Sequence, residues 1–80
     1  MTIYINRQGA KFNANSATEL VEQLQHQESI SSKNLQDFMN QMAKHCQIED
    51  GVSIRTLAPE IFVADLIQND YLSVIDVIDG

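Results

Sequence analysis

Apolar and polar positions along this chain change period several times, and each change marks an element. Thr2-Ile3-Tyr4-Ile5-Asn6 and Ala10-Lys11-Phe12-Asn13-Ala14 alternate with period two, the pattern of strands with one covered face. Arg7-Gln8-Gly9 between them is short and supplies a glycine, so the two strands form a hairpin. The period then lengthens. Ala17, Leu20, Val21 and Leu24 fall at i, i+3, i+4 and i+7, a helical stripe that packs on a sheet. Ser16-Ala17-Thr18-Glu19 ahead of it is a capping box, in which the serine oxygen accepts the N3 amide and the glutamate reaches back to the serine N–H. The spacing predicts a helix over Ser16–Gln25. A linker with a second cap follows at Ser29-Ile30-Ser31-Ser32. Leu35, Phe38, Met39, Met42 and Cys46 then form another helical stripe, with Asn34, Asp37, Asn40, Gln41 and Lys44 off it.

Beyond this second helix, Glu49-Asp50-Gly51 reads as a turn. Val52-Ser53-Ile54-Arg55 is a short alternating segment and is expected to be a strand. Pro59 is preorganised for a first helical position and opens a short helical turn over Ile61–Ile67. Gln68-Asn69-Asp70 is a turn, and Tyr71 to Gly80 is a final strand. The order is β-β-α-α-β-β with an extra short helix before the last strand, which makes an α+β fold. Ile3, Ile5, Leu20, Leu24, Val52, Ile54, Val74 and Ile78 are expected to share one core.

Eighty residues with 44% apolar content make a single domain, 1–80. A core this small is marginal. No run of about 18 apolar residues crosses a membrane, and the opening residues lack the charged and apolar regions of a signal peptide. Cys46 is the only cysteine, so no internal disulfide forms and a cytoplasmic location is the expectation.

The net charge of −6 is unevenly placed. Residues 1–46 balance. Residues 47–80 hold Glu49, Asp50, Glu60, Asp65, Asp70, Asp76 and Asp79 against Arg55 alone, so the whole excess lies there. That field repels nucleic-acid phosphates and favours a basic protein partner. Glu60, Asp65, Asp70 and Asp79 are the candidate partner surface.

Catalytic and metal chemistry is thin. His45 and Cys46 are adjacent on a helix and point about 100° apart, so they do not converge on one ion. Cys46 lies on the apolar stripe and reads as a small core residue. His26 falls near a helix end and reads as solvated surface. Phe38, Met39 and Met42 fit an adaptable partner groove, but their spacing is that of a core stripe. Glu49 and Asp50 lack the alternating oxygen ligands of a cation loop. Asp76 shares a period-two face with Leu72, Val74 and Ile78, so it needs a partner, and Arg55 is the base available. No nucleophile setting is recognisable. A non-enzymatic protein with no cofactor is expected.

Two segments resemble the small sulfur-carrier proteins of thiamine and molybdopterin biosynthesis, which are ubiquitin-like β-grasp proteins. Thr2-Ile3-Tyr4-Ile5-Asn6 through Ala14, with Thr18-Glu19-Leu20-Val21-Glu22-Gln23-Leu24, is similar to that family's opening hairpin and first helix. Ala58-Pro59-Glu60, Leu66-Ile67-Gln68-Asn69-Asp70 and Leu72 to Gly80 are similar to its proline-started turn, its Asp-bearing turn and its last strand. The resemblance implies a β-grasp mixed sheet with first and last strands parallel at its centre. It implies a non-catalytic carrier or adaptor, with Gly80 as the carrier terminus and an activating enzyme as partner. Two features depart from the family. Asp79 stands where it has a second glycine, and residues 28–50 have no counterpart. A small acidic inhibitor, of immunity or phage anti-defence kind, is the alternative; its partner is a basic target protein.

Overall fold

The computed structural model describes residues 1–27 and 31–77. The elements run β1 (Thr2–Asn6), β2 (Lys11–Ala14), α1 (Ala17–Gln27), α2 (Leu35–Asp50), α3 (Pro59–Gln68) and β3 (Leu72–Val77). The fold is α+β: three helices and an antiparallel sheet of order β2-β1-β3. Among the described residues no helix is long and apolar enough to cross a membrane.

The β1–β2 hairpin forms as expected, and Asn6 organises its turn. The Asn6 side-chain oxygen accepts from the amides of Gln8 (3.0 Å) and Ala10 (2.9 Å). Gly9 takes φ 88°, a conformation that costs glycine nothing. The first half of the capping box is also in place: Ser16 Oγ accepts from the Glu19 amide at 3.1 Å. Helix α2 starts elsewhere than expected. Ser29 and Ile30 lie outside the described residues, and the cap is Asn34, whose side chain accepts from the Asp37 amide at 2.8 Å while Asp37 accepts from the Lys33 amide at 2.9 Å. The helix also runs through Glu49 and Asp50. Gly51, at φ 67°, ends it by returning its amide to the Cys46 and Gln47 carbonyls.

Three expectations about the second half are corrected. Residues 52–55 form no ladder, although their burial alternates as in a strand, with Val52 and Ile54 inward and Ser53 and Arg55 outward. The short helical turn is a full helix, α3, because Phe62, Val63 and Leu66 bury one face of it. Among the described residues the sheet is antiparallel throughout, in place of the expected mixed β-grasp sheet with parallel first and last strands. β1 and β3 are adjacent as expected, but Asn6 pairs with Leu72 and Thr2 with Val77. The cause is the path of α3. It delivers the chain to the hairpin-turn end of the sheet, where Arg7 bonds the carbonyls of Asn69 and Asp70. From there β3 can only run back against β1.

The helices cover the sheet face that carries Phe12 and Ala14, with Tyr4 packed beside them. Phe38, Phe62, Leu20, Leu24, Leu66 and Val21 are the largest fully buried side chains. Of the expected core, Leu20, Leu24 and Ile54 are buried and Val52 packs against them. Ile3 and Ile5 are half-buried on the opposite face from Tyr4, because successive strand residues alternate. Val74 is exposed, and Ile78 lies outside the described residues.

Candidate functional site

The acids singled out by charge do not form one surface. Glu60 is exposed in the first turn of α3, beside the positive end of the helix dipole. Asp70 is exposed too, and its φ of 65° makes it the left-handed residue of the α3–β3 turn, a place aspartate tolerates better than most side chains. Asp65 is not surface: it is 6% exposed and bonded to Arg55. Asp79 and Gly80 lie outside the described residues.

Asp76 is corrected as well. Period-two geometry placed it beside Val74, but a bulge falls between the pairs Ile3–Asp76 and Tyr4–Val74. The extra residue, Ile75, turns Asp76 onto the Ile3 face. Its carboxylate there accepts from the Val77 amide at 2.9 Å. Arg55 is engaged elsewhere, so the expected Arg55–Asp76 pair does not form.

The bulge also decides what β3 presents. Tyr4 and Thr2 face Val74 and Val77 on the helix side of the sheet, but the helices do not reach that far. Val74 is 47% exposed, Ile75 48% and Val77 59%. Leu72, at the other end of the same strand, is buried. One half of β3 is thus core, and the other half leaves Val74 and Val77 open on the helix side, with Asp76 on the other face of the strand. The other outer strand, β2, is short and shows Lys11 and Asn13 to solvent, an ordinary protected edge.

At the opposite end of β3, four polar side chains from three parts of the chain meet. Arg7, from the hairpin turn, lies over the Tyr71 ring at 4.0 Å from its centroid and 3.6 Å from Asp50. The Tyr71 hydroxyl donates to the Asp50 carboxylate and sits beside the Cys46 thiol. The bond to Asp50, then burial, pushes the Tyr71 phenol well above its ordinary range. Burial first pushes the Cys46 thiol up, which removes the thiolate that nucleophilic or redox work needs. The cluster joins the hairpin turn, α2 and the turn that leads into β3. The sequence analysis missed it. The signal it left was small: one arginine in a turn and one tyrosine before a strand, more than sixty positions apart.

Among the described residues no three His, Cys, Asp or Glu side chains are grouped to hold a metal. Comparison with family models, with curated proteins and with solved structures returns no match.

Proposed function

We propose that this chain is a small non-catalytic adaptor that binds a protein partner through the open half of β3. The observation that carries this reading is the set of apolar side chains Val74, Ile75 and Val77, about half exposed on one outer strand. Scattered exposed apolar residues are ordinary, whereas a contiguous set marks an interaction surface. What surrounds the set gives the partner's chemistry. Asp76, between Ile75 and Val77 in sequence, lies at the rim of the set on the strand's other face and is exposed, as is Asp70 at the strand's far end. Arg55, the one base among residues 47–80, is taken by Asp65. The partner is an apolar surface with a basic rim. It meets side chains rather than adding a strand, because the bulge and the Asp76-capped Val77 amide interrupt the free edge.

The carrier form of this reading, with chemistry at Gly80, has the family resemblance alone behind it. The antiparallel pairing of β1 with β3 departs from the parallel pair that the resemblance implies. An inhibitor that covers a basic site is the second reading, favoured by the exposed acids Glu60, Asp70 and Asp76. Affinity capture with wild-type chain and with the Val74→Ser, Val77→Ser double variant tests the adaptor reading. A partner held by wild type, lost with the double variant and weakened by Asp76→Asn is the expected result. Equal retention by the double variant overturns it.

A further inference from the structure

A second surface lies away from β3. Between α2 and the unpaired segment 52–56 runs an open groove of about 270 Å³. One wall is a single face of α2, with Asn40, Ala43, Lys44 and Gln47 spaced at i, i+3, i+4 and i+7. Ser53 and Thr56 form the other wall, and Ile54, a buried residue, lies between them.

Two features of the groove point to the same ligand. The first is main chain. Around it the Val52 amide is bound to the Cys46 carbonyl, the Arg55 amide to Asp65, and the Thr56 carbonyl to Gln36. Ser53 and Ile54 make no backbone hydrogen bond among the described residues. Ser53 is exposed, and a second extended chain would replace water on its backbone groups. The second is charge. Lys44 makes no ion pair among the described residues, although the chain carries eleven acids.

We infer that this groove binds an extended peptide carrying an acidic side chain. The peptide main chain pairs with the segment at the exposed Ser53, and its carboxylate meets Lys44. Asn40 and Gln47 supply side-chain amides to the peptide backbone from the α2 wall. The ligand is opposite in charge to the partner proposed for β3, so the two surfaces recruit different proteins, as an adaptor requires. The inference stands whether or not the β3 surface is used.

The probes are two pools of N-acetylated pentapeptide amides, one with glutamate fixed at the centre and one with lysine, all other positions randomised. Binding is read by amide chemical shifts of the full chain. The acidic pool should shift the Ser53–Thr56 and Asn40–Gln47 resonances and bind about tenfold more tightly than the basic pool. Lys44→Glu, on an exposed helix face and checked for an unchanged melting temperature, should reverse the preference. Equal binding of the two pools, shifts elsewhere, or an acidic preference that survives Lys44→Glu would overturn the inference.

Discussion

Asp65 reaches back ten residues to hold Arg55 by three bonds. Its two oxygens accept from the Arg55 amide (2.9 Å), Nε (3.0 Å) and Nη2 (2.9 Å). The pair ties the unladdered segment 52–56 to α3, doing for that segment what a neighbouring strand does elsewhere. The guanidinium bonds, then the main-chain bond, hold the Asp65 carboxyl down to about 2, against an ordinary 3.8. A carboxylate depressed in the folded state stabilises the fold above its unfolded pKa and loses that contribution as pH falls through the folded one. Wild type should therefore lose stability as pH drops from 3.8 to about 2, and Asp65→Asn should start lower and be flatter across that window. Urea midpoints measured through the window check this; parallel curves for the two proteins would refute it.

Tyr71 gives the opposite sign at the alkaline end. Its phenol is held neutral by Asp50 and by burial, so it ionises above the ordinary 10.0. A group that prefers its proton in the fold stabilises it below the unfolded pKa and loses that contribution as pH rises beyond it. Stability should fall as pH rises above 10.0, with Tyr71→Phe removing much of the slope. Asp50→Asn should bring the phenol back toward its ordinary range. Ultraviolet titration of tyrosinate reads the second effect directly, and an unchanged titration in Asp50→Asn would dissociate the phenol from that carboxylate.

Met39 is 2% exposed among Phe38 and the other residues of the main cluster. Met39→Asp buries an unpaired charge, which costs several kcal/mol. A chain of 80 residues has a total stability of about 4–12 kcal/mol. The variant should thus be largely unfolded by circular dichroism and have no cooperative melt. A folded Met39→Asp protein would mean that α2 meets something other than the core through that side chain.

What the chain disclosed in advance follows the range of the interactions concerned. The stripes Leu20-Val21-Leu24 and Phe38-Met39 are set within a few turns of helix, and helices form over both, although α2 is capped by Asn34 and runs on to Asp50. The hairpin is equally local, fixed by Asn6 and Gly9. Misreadings came where distant parts of the chain decide. Val52-Ser53-Ile54-Arg55 alternates like a strand, yet it joins no ladder: the Val52 amide goes to α2 and the Arg55 amide to Asp65. Asp76 changed faces through one bulge residue, which no period-two count registers. The direction of β3 was set by where α3 sets the chain down. The Arg7–Asp50–Tyr71 cluster joins residues tens of positions apart, and nothing local to any one of them announces it.

The last prediction separates three uses of the C-terminal part. Chemistry at the chain end depends on Gly80, because a reacting carboxylate needs an unobstructed approach. An adaptor depends on the apolar side chains of β3, since truncating the centre of an interface removes most of its affinity. An inhibitor that works by charge depends on its exposed acids, whose effect lies mainly in the encounter rate and fades with salt. Asp65 has no place in this test, because it is bound to Arg55. Three variants suffice once a partner is captured: deletion of Gly80, Val74→Ser with Val77→Ser, and Asp70→Asn with Asp76→Asn. The adaptor reading expects the apolar pair to abolish binding, the acid pair to weaken it by slower association, and the Gly80 deletion to leave it intact. Rate constants from surface plasmon resonance at low and physiological salt distinguish these outcomes. Loss confined to the Gly80 deletion would establish the carrier. Loss confined to the acid pair, steepest at low salt, would establish the inhibitor.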